Sequence, residues 1–168
     1  MKKSKAICFD YLRTYIQRYD GETNTVIEEL GDLEECLQRI SKMDSVDRTL
    51  KNSAKYIFKD SKVILHDKRI RECNYGDLNG EDTSLVKYEE HIDSKFPNGE
   101  SLKEVEKRLR NFCDYLLENY NGKTVALVAH KAPQLALEVI TKNISWKEAI
   151  DIDWRKTKNW QPGWRYEI

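Results

Sequence analysis

The sequence has little that would tie it to a membrane, a metal or an oxidising compartment. Long apolar runs are missing. The opening MKKSKAICFDYLRTYIQ is broken by Asp10, Arg13 and Gln17 too early for a signal peptide or a spanning helix, so a cytoplasmic protein without a membrane partner is expected. The four cysteines, Cys8, Cys36, Cys73 and Cys113, form no C-x-x-C pair. That argues against a zinc site or a disulfide framework and for reduced, mostly buried thiols. No excess of charge exists either: 29 basic and 29 acidic residues cancel, so no overall field favours nucleic acid or an acidic partner, and any anion site must be local. Internal repeats, low-complexity tracts and linkers are absent as well. At 168 residues, the chain reads as one domain, 1–168, able to bury roughly two-thirds of the surface its unfolded form exposes.

What is present is an alternation of short apolar runs and helical periodicities. Ala6 to Phe9 reads as a buried strand, and Leu30, Leu33, Leu37 and Ile40 fall at helical spacing. A second helical stretch, about 45–58, leads into the run Lys62 to Leu65 and then into RIRECNYGDLNG, where Gly76 and Gly80 mark irregular backbone. After the loop signal Pro97-Asn98-Gly99, Ser101 and Glu104 form a capping-box pattern. The apolar series Val105, Leu109, Phe112 and Leu116 then predicts a helix of about 18 residues ending near Asn121-Gly122. Thr124 to Ala129 (TVALVA) is apolar and partly β-branched, as expected of a parallel strand covered on both faces. His130-Lys131-Ala132-Pro133 follows, with the proline placed for the first turn of another helix. The pattern predicts an α/β fold, a mostly parallel sheet with helices on both faces. The segment from Trp146 to Ile168 holds all four tryptophans and is expected to pack across the body.

Two places could carry chemistry. His130 falls between a buried strand and a helix start, where free N–H groups and the helix dipole favour an anion, and Lys131 adds a charge. The competing reading is a histidine that only caps the turn. In Glu72-Cys73-Asn74-Tyr75-Gly76-Asp77-Leu78-Asn79-Gly80, a carboxylate and a tyrosine hydroxyl sit on a glycine-bent loop. By spacing alone, an ion pair between Glu72 and the neighbouring Lys68, Arg69 or Arg71 is the simpler account.

Taken together, these residues carry a resemblance. ECNYGDLNG resembles the E-x-x-Y-G-x-L-x-G block of the histidine phosphatases (phosphoglycerate-mutase-like). Pro97-Asn98-Gly99-Glu100-Ser101 with Arg108 resembles their P-x-G-E-S block and following arginine. VALVAHKAP resembles the strand ending in their second histidine, and DWRKTKNWQPGWRY resembles the close of one bacterial group. The resemblance covers roughly Arg48 to Ile168. It implies a phosphoglycerate-mutase-like scaffold and phosphoryl transfer to a histidine at the end of the first strand, with a phosphorylated small molecule as substrate and neither metal nor cofactor. Fixed donors must neutralise the equatorial oxygens, and an acid must protonate the leaving oxygen. On the matching positions His130 is the second histidine, Glu72 the acid, Tyr75 a pocket wall, and Arg48 the phosphate arginine, Thr49 being the alternative.

The first half departs from that pattern. Ile27-Glu28-Glu29-Leu30-Gly31 resembles the family's L-T-E-x-G, which aligns Phe9-Asp10-Tyr11-Leu12-Arg13-Thr14 with F-R-H-G-E-T. Arginine becomes Asp10 and the nucleophilic histidine becomes Tyr11. A tyrosine of pKa near 10 is a poor nucleophile at neutral pH, and Asp10 opposes a phosphoryl group. The segment before Arg48 is short, with no apolar run between Ile40 and Ser45 for the second strand, so an edge of the sheet is missing or remade. His66 and His91 read as structural. The expectation is an inactive or severely impaired member, a pseudoenzyme. The alternatives are a phosphomonoesterase using a displaced nucleophile, His130 or Asp10, and a non-catalytic binding protein for a phosphorylated metabolite or a protein partner. A weaker likeness of Ala6–Thr14 to the D-x-x-x-T strand of haloacid-dehalogenase-type phosphatases fails at Leu12. Cys8 and Arg13 are one residue too close for a C-x5-R loop. Substrate and oligomeric state are left open.

Overall fold

The computed structural model describes residues 5–10, 25–27, 64–158 and 163–168. Its sheet has five strands: β1 (Lys5–Asp10), β2 (Thr25–Ile27), β3 (Ile64–His66), β4 (Thr124–Ala129) and β5 (Trp164–Glu167), in the order β3-β2-β4-β1-β5. The helical stretches expected at 30–40 and 45–58 lie outside the described residues.

β4 is the centre of this sheet because every residue from Val125 to Ala129 is buried. Successive side chains of a strand face opposite ways, so unbroken burial means that both faces are covered. β1 runs parallel to β4 over six residue pairs, from Lys5↔Thr124 to Asp10↔Ala129. The other pairings, β1–β5, β2–β3 and β2–β4, are antiparallel. Among the described strands, one pairing of four is parallel. Thr25–Ile27 inserts between β4 and β3 and runs against both, so a three-residue stretch upstream of residue 30 fills the place next to β4.

The helix α1 (Leu102–Asn119) has its 18 residues started by a complete capping box. Glu104 N–H donates to Ser101 Oγ at 3.2 Å, and Ser101 N–H donates to Glu104 Oε2 at 2.9 Å, which satisfies two first-turn donors. Its apolar face, Val105, Leu109, Phe112 and Leu116, is buried in one core with Val125, Leu127 and Ala129 of β4. Each such side chain contributes about 1.5–3 kcal/mol when fully buried. The helix α2 (Lys131–Lys142) follows β4 directly, with His130 as its N-cap and Pro133 in its first turn, and it ends at Asn143 in the left-handed region. Residues Ala132 to Val139 are all buried, so α2 is a core helix.

Two short helices follow, α3 (Trp146–Asp151) and α4 (Trp154–Thr157). The late tryptophans anchor this region: Trp146 Nε1 donates to Glu106 Oε2 at 2.8 Å, and the Trp154 and Trp164 rings stack at 5.2 Å. Among the described residues no helix is long and apolar enough to cross a membrane.

Candidate functional site

Parallel pairing sets two chain ends side by side. Asp10, the last residue of β1, is in register with Ala129, the last of β4, and the next residue after Ala129 is His130. The tips of adjacent parallel strands, with a helix leaving one of them, are where open α/β sheets collect ligands. Tyr11, Arg48, Thr49 and the side chain of Asp10 lie outside the described residues.

Glu72 reaches this tip from the loop after β3. Its Oε2 stands 3.9 Å from His130 Nδ1, and its Oε1 accepts the N–H groups of Cys73 at 2.8 Å and Ala132 at 3.1 Å. The carboxylate thus sits on the positive end of α2. Few donors are offered there: Pro133 has no N–H, and that of Gln134 goes to the His130 carbonyl at 3.1 Å. His130 and Glu72 keep 20% and 22% of their side-chain surface exposed. Burial pushes the His130 pKa below its ordinary value, and the Glu72 charge opposes that shift. The surface ion pair that spacing favoured for Glu72 gives way to other partners: Arg69 pairs with Asp67, and Arg71 with Glu100.

The loop holding Glu72 is pressed onto the Pro97–Gly99 loop. Gly76 has φ +57°, and a Cβ there would lie 1.8 Å from the Pro97 carbonyl oxygen. Asp77 N–H donates to that same oxygen at 2.9 Å, and Glu100 N–H donates to the Asn74 carbonyl at 2.8 Å. Glu100 Oε2 in turn accepts the Asn74 N–H at 3.0 Å. Only glycine permits this approach without backbone strain.

Tyr75 and Lys131 are placed differently from expectation. The Tyr75 hydroxyl makes a short hydrogen bond to the Tyr88 hydroxyl, and both rings are buried, so the phenol is part of the packing behind Glu72. Burial, reinforced by the Glu72 charge, pushes both phenol pKa values well up. Lys131 Nζ lies 3.4 Å from Asp153 Oδ2 and 4.3 Å from the centroid of the Tyr88 ring. Asp153 has 1% of its side-chain surface exposed and is also held by Arg155 Nη1 at 2.7 Å. Tyr88 and Asp153 escaped the sequence reading. Asp153 did have a signal, an aspartate opening a helical turn, and its carboxylate accepts the Arg155 N–H at 3.1 Å. Nothing in the pattern around Tyr88 pointed to Tyr75.

His91 packs its ring on Phe96 at 4.0 Å, and His66 ends β3. Cys73 and Cys113 are buried, and burial pushes the Cys113 thiol up to about 12. Among the described residues no group of three or more His, Cys, Asp or Glu side chains is placed to hold a metal ion.

The sequence profile of the histidine phosphatase superfamily (branch 1) matches residues 46–158, which takes in Glu72, the Pro97–Ser101 loop and His130. The chain belongs to the histidine phosphatase superfamily. Proteins of this superfamily bind phosphorylated substrates. Solved structures agree on the fold. Bacillus stearothermophilus YhfR matches with a TM-score of 0.58 at 16% identity, over 87% of this chain and 83% of its own. The mycobacterial glucosyl-3-phosphoglycerate phosphatase gives 0.57 at 15%, over 89% and 83%. Mycobacterial hydrolase 2 gives 0.53 at 13%, over 88% and 75%. No curated protein matches the chain.

Proposed function

We propose that this histidine phosphatase superfamily protein keeps a phosphate-ester site around Glu72 and His130 and has lost, or nearly lost, hydrolysis because Tyr11 stands where the nucleophilic histidine belongs. The observation that carries the reading is the register Asp10↔Ala129. In the sequence Tyr11 follows Asp10 as His130 follows Ala129, and the chain's three histidines, His66, His91 and His130, leave none for position 11. The scaffold is read as a phosphoglycerate-mutase-like sheet covered by helices on both faces, forming one domain over 1–168.

In this reading His130 binds phosphoryl oxygen, Glu72 is the acid for the leaving oxygen, and Arg48 supplies the fixed positive charge. An equatorial oxyanion needs such preorganised donors, and an alkoxide leaving group needs a proton. A tyrosine at position 11 offers no ready lone pair at neutral pH. Asp10 adds negative charge, and the Glu72 carboxylate already occupies an N–H of α2. Lys131, drawn toward Asp153, contributes a long-range field and no direct phosphate contact.

Hydrolysis of p-nitrophenyl phosphate tests the reading. We expect turnover lower than that of an intact site by a factor on the order of a millionfold, the scale seen when a nucleophile acting with its partners is removed. Rapid turnover abolished by His130→Ala or Asp10→Asn would instead establish a displaced nucleophile.

A further inference from the structure

We propose that Arg108 is the positioning residue that aims Glu72 at His130, acting through the backbone that carries Glu72. This rests on reading Glu72 and His130 as the working pair of the site. Arg108 lies in the middle of α1, with 11% of its side-chain surface exposed. All five of its guanidinium N–H donors are matched to acceptors. Nη1 donates to the carbonyls of Arg69 at 2.6 Å and Arg71 at 2.8 Å. Nη2 donates to the Glu72 carbonyl at 3.1 Å and to Glu100 Oε2 at 3.3 Å, and Nε to Glu100 Oε1 at 3.2 Å.

Residues 69–72 and Glu100 are thereby tied to one rigid fork on a helix. Glu100 also holds Arg71 and the Asn74 N–H, so the clamp closes on both sides of Glu72. At the far end, Glu72 is held among the described residues by its carboxylate, through Cys73 and Ala132. Its direction therefore depends on where its own backbone is held. A lysine at 108 would keep the charge and offer at most three donors without the planar fork. Arg108 is too far inside the clamp to meet a ligand, since each of its donors is already spent on protein.

The experiment is a double-variant cycle read by NMR titration of the histidine rings in the intact chain. Three histidines give few signals, and His130→Asn assigns the one that matters. Glu72→Gln should lower the His130 midpoint, since the carboxylate favours imidazolium. Arg108→Lys should lower it in the same direction and have no further effect when added to Glu72→Gln, with His91 unmoved. A His130 midpoint that ignores Arg108→Lys, or that shifts equally in the Glu72→Gln background, would overturn the proposal. Should Arg108→Lys fail to fold, Arg108→Gln, which keeps a side-chain amide donor but loses the guanidinium fork, runs the same cycle under the same criteria. Because the signal is geometry and not turnover, the two proposals fail separately. Fast ester hydrolysis would remove the impaired-enzyme reading and leave this one standing. A His130 midpoint deaf to Glu72→Gln would remove the pair itself.

Discussion

The Glu72 carboxylate faces the His130 imidazole across 3.9 Å while its other oxygen caps the helix that His130 begins, through the Ala132 N–H. One side chain therefore opposes the burial that lowers the histidine's pKa and satisfies the helix behind it.

A rescue follows from that geometry. Asp10→Arg with Tyr11→His should give measurable p-nitrophenyl phosphate hydrolysis where the parent has little, and His130→Ala in the same background should abolish it. A folded double variant that neither binds phosphate nor hydrolyses the ester would mean that the site was dismantled beyond its nucleophile.

The pH dependence of stability has a definite sign. Burial depresses the His130 pKa in the folded state, while the unfolded chain titrates near 6.5. Between those two values the unfolded state holds the extra proton, so unfolding free energy rises with pH there and falls as the solution is acidified from about 6.5 through the folded value. Urea melts between pH 5 and 7.5 should show a shallower slope for His130→Asn than for the parent. An equal slope would mean that His130 is not the source of the dependence in this range, since carboxylates such as Asp67, whose pKa is lowered against its burial by hydrogen bonds from Arg69, act only at lower pH.

The loop contact makes a sharp contrast between two glycines. Gly76→Ala must accept φ +57° and a 1.8 Å overlap with the Pro97 carbonyl oxygen. It should cost about 2 kcal/mol or more, a drop of roughly 4–8 °C in melting temperature. Gly80→Ala, at φ +90° with nothing within 4 Å, should cost only the backbone strain, about 1 kcal/mol.

The buried phenols should be non-additive. Tyr75→Phe or Tyr88→Phe each strands the other's hydroxyl inside the core, at about 1–3 kcal/mol, whereas the double Phe variant should cost less than the sum. Equilibrium denaturation of the four proteins measures the coupling.

Local rules carried the reading in the second half of the chain. Ser101 and Glu104 announced α1, and five buried apolar residues announced β4, because caps and periodicity are short-range properties. The partners of the site were hidden for the opposite reason. Glu72 and Ala132 are 60 residues apart, Lys131 meets Asp153 across two helices, and Tyr75 finds Tyr88 through loop packing. Only the ordered motifs joined Glu72 to His130, and they said nothing about the tyrosine pair or about which acid would claim Lys131. The antiparallel strand Thr25–Ile27 was not legible, because three residues have no periodicity from which to read an orientation.

The last strand has a bearing on solubility. Along β1, hydrogen bonding is shared between β4 on one side and Trp164–Glu167 on the other, and the Tyr166 hydroxyl pins that outer strand to Glu138 of α2 at 2.8 Å. Removing Trp164–Ile168 would bare a row of backbone donors and acceptors along Lys5–Cys8, a template for adding a foreign strand. The truncated chain is then expected to self-associate through that bared border, a gain of stickiness beside the pocket rather than a loss inside it.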